Sequence, residues 1–112
     1  MMPLAAPGRI YLHRAPTDMR KSFDGLSGLV RSGLGHDPLS GDWFVFVNRR
    51  RDLAKVLYWD RDGFALWAKR LERGRFALPG GEQSEVDRSA LALLLDGIRA
   101  RVLARSPRWK LK

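Results

Sequence analysis

The stretch that decides the fold is LAKVLYWDRDGFALWAK, residues 53–69, because two apolar segments flank a turn sequence within it. Side chains of a strand alternate between two faces, which puts Leu57 and Trp59 on one side with Lys55. Residues 60–63, Asp-Arg-Asp-Gly, form a tight turn in which Gly63 tolerates positive φ. Residues 64–69 should therefore return antiparallel, and the stretch predicts a β-hairpin.

Two more strands and a helix are predicted on the N-terminal side of this hairpin. Residues 43–47, Trp-Phe-Val-Phe-Val, are aromatic and β-branched and apolar on both faces, which is typical of a central strand. Residues 9–13 predict a short strand that ends at Pro16. A helix capped by Thr17 or Asp18 should follow. Its glycines at 25, 28 and 33 indicate either close backbone packing or a helix that ends early near residues 33–35. Its apolar face repeats at helical spacing: Met19, Phe23, Leu26, Val30 and Leu34.

The C-terminal part predicts a short edge strand over residues 75–78, which residues 79–81, Pro-Gly-Gly, bring to an end. Residues 84–87, Ser-Glu-Val-Asp, resemble a capping box and predict a second helix up to Asp96. Its apolar face has five members: Val86, Ala90, Leu91, Leu94 and Ile98. Gly97 either ends this helix or lies within it.

These elements predict an α+β fold, a small antiparallel sheet of three to five strands with two helices in the order β-α-β-β-β-(β)-α. We expect one domain over residues 1–104 and a loose basic tail over 105–112 that contains Trp109. Both helices should cover one sheet face, which leaves the other face to the tail, a dimer mate or another protein. Six residues are predicted to form the core: Phe23, Leu26, Val45, Leu57, Leu91 and Leu94.

Composition excludes several classes of protein. A chain of 112 residues with 45% hydrophobic residues can bury a modest core. It has no cysteine, so disulfides and thiolate metal ligands are excluded. No apolar run approaches the ~20 residues that cross a bilayer, and residues 1–7 lack the pattern of a signal peptide. The sequence therefore predicts a cytoplasmic protein with no membrane partner.

The net charge of +9 is distributed unevenly: +1 over residues 1–48, +5 over 49–75, −3 over 76–98 and +6 over 99–112. A strongly basic small protein gains affinity for nucleic acid by releasing counterions from the phosphate backbone. The charge therefore favours a polyanionic partner. A basic surface that serves solubility or an acidic protein partner is the alternative.

Two groups of basic residues form the candidate DNA site. One group lies at a hairpin tip and the other at a strand end and turn, so the two could share one sheet edge and contact successive phosphates. The seven candidates are Arg49, Arg50, Arg51, Lys69, Arg70, Arg73 and Arg75, with Arg20 and Lys21 as possible additional contacts. The alternative is a solvated loop whose charges protect edge strands from aggregation. Trp43, Trp59 and Trp67 could stack on bases, although strand aromatics more often form core.

A catalytic site is not expected. Most carboxylates have local structural tasks, such as helix caps at Asp18 and Asp87 and a turn at Asp60 and Asp62. The two histidines lack a second ligand at metal spacing, and no nucleophile motif is present. We therefore predict no enzyme activity, no cofactor and no metal. Convergence of distant carboxylates on a metal-dependent nuclease site is the one alternative that this reasoning leaves open.

Several short segments fall in an order typical of one family. Residues 16–26 combine a turn, a basic pair and spaced apolar residues, and five further segments follow: 44–46, 55–57, 59–60, 63–64 and 71–76. Over residues 8–97 the chain resembles the TnpB-type accessory protein of IS66-group insertion sequences, which is not the RNA-guided nuclease that shares the TnpB name. The resemblance implies a role in transposition beside a separate transposase and supplies no catalytic motif.

Together, charge and resemblance predict a non-catalytic accessory protein that aids transposase assembly on element DNA through phosphate contacts. Its expected partners are DNA, without strong sequence preference, the transposase and another element-encoded accessory protein. A homo-oligomer is possible. The alternative is a protein-interaction module that binds the transposase or the other accessory protein without touching DNA.

Overall fold

The computed structural model describes residues 8–96, which form a five-stranded sheet and two helices. The strands are β1 (Ile10–His13), β2 (Trp43–Val47), β3 (Leu53–Asp60), β4 (Gly63–Arg70) and β5 (Glu85–Val86). The helices are α1 (Phe23–Leu29), which continues as the π-helical turn Val30–Leu34, and α2 (Arg88–Asp96). The predicted α+β class is confirmed.

The sheet has the order β4-β3-β2-β1-β5 and is mixed. Three of its four strand pairs are antiparallel, as expected, whereas β1 and β2 are parallel, with Ile10 opposite Trp43. The parallel pair arises because α1 lies between these strands in the chain and carries it back to the end of the sheet where β1 began. The carboxyl ends of β1 and β2 therefore lie at the same end of the sheet.

The predicted hairpin is present as β3 and β4, which pair from Leu53–Arg70 to Asp60–Gly63 around a two-residue turn. The residue in the left-handed region is Arg61, with φ of 57°, and not Gly63 as predicted. In a two-residue turn the positive φ falls on a loop residue, here the first of the two, whereas Gly63 is already the first residue of β4.

The two helices pack on opposite faces of the sheet, so the prediction that both cover one face is wrong. The α1 side contains Leu26 and Val30 against Phe44, Phe46 and Leu57. The α2 side contains Leu91, Leu94 and Leu95 with the inward residues of β1, β2 and β3, together with Leu71 and Phe76. The second face, expected to need a separate partner, is thus covered by the chain's own α2.

Helix α1 begins at Phe23, which is five residues later than a Thr17 cap would require and four later than an Asp18 cap would require. Residues 17–22 are held differently: the buried Thr17 donates its backbone N–H to the Val47 carbonyl at 3.0 Å, and Asp18 begins a turn closed by Lys21.

Five of the six predicted core residues are buried. Phe23 is 43% exposed because it lies at the first position of the shortened helix.

The end of the helical segment matches the prediction. The π-helical turn ends at Leu34, and Gly35 follows in the left-handed region with φ of 68°. A β-carbon at Gly33 would lie 2.9 Å from Nε2 of His13, so the absence of a side chain there allows the helix end to approach β1. This close approach is the backbone packing that the helix glycines suggested.

No strand forms over residues 75–78, where an edge strand was predicted; Phe76 is instead fully buried under the sheet. The fifth strand is β5, which pairs with β1 through Val86 and Ile10. Residues 84–86 thus do not cap α2, but Asp87 does, since its Oδ1 accepts a hydrogen bond from the Ala90 N–H at 2.8 Å. Gly97, Ile98 and the basic tail with Trp109 lie outside the described residues.

Candidate nucleic-acid interface

The strand directions separate charge along the sheet. At one end, which we call the basic end, β1, β2 and β4 finish and β3 and β5 begin, and its segments 14–22, 48–53 and 69–84 carry ten basic and four acidic side chains. The segments at the opposite end, 8–9, 36–42, 60–63 and 85–88, carry six acidic and three basic side chains. Within residues 8–96, the two ends of the strands therefore carry net charges of opposite sign.

The β2–β3 loop at the basic end is organised by one asparagine. The Asn48 Oδ1 accepts hydrogen bonds from the N–H groups of Asp52 at 3.0 Å and Leu53 at 3.1 Å. Its Nδ2 donates to the Asp52 carboxylate at 2.7 Å. Arg51 takes the left-handed conformation with φ of 59° and donates its N–H to the Asn48 carbonyl. The loop is thereby shaped to project residues 49–51 outward.

The segment after β4 is attached to this loop at both of its ends. Leu71 donates its N–H to the Asp52 carbonyl at 2.7 Å, and Phe76 donates its N–H to the Arg51 carbonyl at 2.6 Å. Both side chains are buried in the α2-side core, and Gly74 between them takes a φ of 79°. We call this pair of anchored hydrogen bonds the clip, because it holds residues 71–76 against residues 48–52.

The clip gathers six of the seven predicted site residues at one end of the sheet: Arg49, Arg50, Arg51, Arg70, Arg73 and Arg75. All six are exposed, and residues 48–53 and 70–76 together carry a net charge of +4. Local ion pairs reach this cluster, among them Arg50 with Asp52 at 3.9 Å and Arg70 with Glu72 at 3.6 Å. Such exposed pairs are weak and exchange readily for other anions.

Lys69, the seventh predicted residue, faces α2. Its ammonium group donates a hydrogen bond to the Leu95 carbonyl of that helix at 3.1 Å. Lys69 therefore connects β4 to α2 and is turned away from the six-arginine cluster.

The two additional candidates lie before α1 on the α1 side of the sheet. Arg20 makes a two-pronged ion pair with Asp18, at 2.7 Å and 3.1 Å, and its hydrogen bonds lower the pKa of that carboxyl from 3.8 to about 2. Lys21 is exposed, and its carbonyl accepts a hydrogen bond from the Lys55 ammonium at 3.0 Å. Arg20 already has an anionic partner, whereas the Lys21 side chain projects from the surface.

The tryptophans of the described chain serve packing. Trp43 is buried in the α2-side core, and Trp67 packs against the same core. Trp59 lies edge-on to Phe64, with ring centroids 5.1 Å apart. These contacts lie within the domain, as expected for strand aromatics.

The acidic residues are dispersed. Within residues 8–96, no three His, Asp or Glu side chains converge in a way that could hold a metal ion. Asp42, for example, accepts hydrogen bonds from the Arg9 N–H at 3.0 Å and from the Ser40 hydroxyl at 3.0 Å. In the same part of the chain, no helix is long and apolar enough to span a bilayer.

Sequence reasoning missed the two residues that assemble the cluster, Asn48 and Phe76. Asparagine favours turns because its side chain bonds to nearby backbone groups, so Asn48 before three arginines was a usable signal. Phe76 gave a different signal, as a lone aromatic directly after the polar segment 72–75, but the pattern was interpreted as a strand. Its role as an anchor depends on contacts with residues distant in sequence.

A family model described as IS66 Orf2 like protein matches residues 8–105, which is most of the chain. The chain belongs to the IS66 Orf2-like family. Membership makes it a transposition-associated accessory protein, and the resemblance noted from the sequence is confirmed.

Two curated relatives of this IS66 Orf2-like protein come from Sinorhizobium fredii, and both carry the description uncharacterized protein. The first, y4hO, is 39% identical over 100 residues, which cover 88% of this chain and 87% of that protein. The second, y4jC, is 44% identical over 71 residues, which cover 63% of this chain and 61% of that protein. No solved structure matches the IS66 Orf2-like chain significantly.

Proposed function

We propose that this protein is a non-catalytic accessory factor that helps the transposase assemble on element DNA, and that its arginine cluster binds DNA phosphates. The observation that carries the proposal is the clip, which holds two arginine-bearing segments side by side although they are distant in sequence. Family membership supports the transposition role. The contacts with DNA and with the transposase are our inference.

The chemistry of the cluster fits phosphate better than bases. A guanidinium group donates parallel hydrogen bonds to two phosphate oxygens and stays charged at any physiological pH. Residues 49–51 lie in a short loop anchored by Asn48, so their backbone loses little freedom when phosphates are bound. Contacts of this kind position a protein on DNA without reading sequence. We therefore expect sequence-tolerant binding with a dissociation constant of about 10⁻⁴–10⁻⁶ M.

The first prediction concerns the salt dependence of this binding. Replacing Arg49, Arg50 and Arg51 together by Ala removes up to three phosphate contacts. The slope of log affinity against log salt should therefore become less steep by up to about 3 units. Fluorescence anisotropy with a labelled duplex, titrated at several salt concentrations, measures the slope for wild type and variant, while circular dichroism checks that both remain folded.

A charge-matched control distinguishes the effect of the arginine cluster from the effect of the protein's net charge. Arg31, Arg61 and Arg88 are exposed and lie outside the basic end, so their joint replacement by Ala removes the same net charge. This control should retain a slope close to that of wild type. Equal slopes for all three folded proteins would show that residues 49–51 do not touch DNA. The protein-interaction alternative would then be favoured, with a surface other than the sheet face that α2 covers.

The assembly step needs its own test. The protein is recovered from cells that carry the whole insertion sequence, and co-purifying proteins are compared with and without nuclease treatment. If element DNA bridges it to the transposase, nuclease treatment and the triple Arg→Ala substitution should each remove the transposase. Recovery that survives both treatments would indicate a direct protein contact.

A further inference from the structure

The outer edge of β4 is the one long strand edge without a partner among residues 8–96. β4 is the first strand in the sheet order and extends over eight residues, Gly63–Arg70, whereas the edge strand on the other side, β5, has two. Proteins usually protect such an edge with proline, a bulge, an inward-pointing charge or a very short strand. The sequence of β4, GFALWAKR, contains no proline and no charge before Lys69.

The direction of the unpaired backbone groups follows from the hairpin. Asp60 and Gly63 close the two-residue turn as a hydrogen-bonded pair, and hydrogen-bonded and non-hydrogen-bonded pairs alternate along an antiparallel ladder. The peptide groups of Phe64, Leu66 and Ala68 therefore point away from β3. Phe64, Leu66 and Trp67 are only half-buried by the domain.

We infer that this edge pairs with β4 of a second copy of the chain, in an antiparallel arrangement that continues the sheet across a two-fold axis. An antiparallel pair of identical strands is self-complementary, as a two-fold symmetric interface requires. When the pair is centred on Leu66, Phe64 of each subunit lies opposite Ala68 of the other. The resulting sheet has ten strands.

The charges at the two ends of β4 favour a second copy of the chain as the pairing partner, in the antiparallel direction. One end of β4 is the turn 60–62, whose net charge is −1 because Arg61 lies between Asp60 and Asp62. The other end is Arg70 at the basic end, which also pairs with Glu72 at 3.6 Å within its own chain. Antiparallel pairing centred on Leu66 brings Arg70 of each subunit beside Asp62 of the other. A parallel pairing would instead place the two basic ends together. Opposite charges at both ends of one strand thus favour a second, antiparallel copy.

The test is the association state of the full chain without DNA, so its outcome is independent of the phosphate-binding proposal. Sedimentation equilibrium over about 1–100 µM should detect a dimer of the wild-type protein. Ala68→Pro removes an outward N–H and leaves the β3–β4 ladder bonds in place, since Ala68 belongs to a non-hydrogen-bonded pair. We expect it to weaken dimerisation about tenfold or more, because each dimer loses two hydrogen bonds. Ala68→Val, which keeps the N–H, should dimerise like wild type.

A charge exchange provides the second measurement and does not depend on how well Ala68→Pro folds. Asp62→Arg alone should weaken the dimer, and adding Arg70→Asp should restore it, because the two positions meet across the symmetry axis. A wild-type chain that is monomeric throughout this range overturns the inference. So does a dimer that neither Ala68→Pro nor Asp62→Arg weakens, since its interface would then lie elsewhere.

Discussion

At the scale of single residues, the basic side chains of this protein divide by what they already contact. Arg20 is paired with Asp18, Lys69 with the Leu95 carbonyl, and Lys55 with the carbonyls of Met19 and Lys21. Residues 49–51 project from a loop whose backbone is fixed by Asn48. A count of basic residues therefore overstates the number available to a phosphate backbone.

The Asp18–Arg20 pair leads to a pH prediction. Hydrogen bonds from Arg20 hold the pKa of Asp18 at about 2, below its ordinary 3.8, because they stabilise the charged carboxylate. Since this pKa is lower in the folded state, the pair stabilises the fold above about pH 4, and its contribution is lost as the pH falls toward 2. NMR titration of the Asp18 carboxyl carbon should show the low pKa. Arg20→Ala should return it toward 3.8, and an unchanged pKa in that variant would contradict the assignment.

At the scale of elements, α2 is held by two side chains. Asp87 accepts a hydrogen bond from its first turn, and Lys69 donates one to the Leu95 carbonyl. Between them, Leu91, Leu94 and Leu95 cover the sheet face opposite α1. Most helical stability in proteins comes from tertiary packing of an apolar face, so this burial and these hydrogen bonds stabilise α2.

Loss of the Asp87 cap should destabilise the protein measurably. Asp87→Ala leaves the Ala90 N–H without its acceptor and should lower the free energy of unfolding by about 1 kcal/mol. Asp87→Asn keeps a side-chain oxygen at the cap and serves as the matched control, with an expected loss of only a few tenths of that amount. Urea unfolding followed by circular dichroism gives both values. Equal losses in the two variants would mean that the hydrogen bond contributes little.

At the scale of the whole molecule, Phe76 joins the core to the candidate DNA surface. Its side chain is fully buried on the α2 side, while its N–H bonds to the Arg51 carbonyl in the β2–β3 loop. The same residue therefore contributes to global stability and to the position of the arginine cluster.

Phe76→Ala should cost about 3–5 kcal/mol of unfolding free energy, because it removes a buried aromatic ring and leaves a cavity. Phe23, which is 43% exposed, provides the comparison, and Phe23→Ala should cost much less. Where Phe76→Ala remains folded, hydrogen exchange at the backbone amides of residues 71 and 76 should accelerate as the clip opens. Similar losses for both variants would contradict the role of Phe76 as an anchor.

Local pattern was sufficient for most of the elements. The strand at 43–47, the hairpin at 53–70 and the end of the first helix near Gly35 follow from side-chain type and spacing within a few residues. The start of α1 was not predictable in this way, because Thr17 is bound to Val47 and Lys55 holds the carbonyls before the helix. Contacts from distant residues there override a local capping signal.

The sequence by itself determined the family, the α+β class, the hairpin and the identity of the basic residues, since each depends on residues close together in the chain. Only the tertiary structure decided that β1 and β2 are parallel, that the helices lie on opposite faces, and that Lys69 faces α2. It also joined residues 48–52 to 71–76 through Phe76. These features depend on how strands are ordered across the sheet, and hydrogen bonds and burial between residues far apart in the chain select that order.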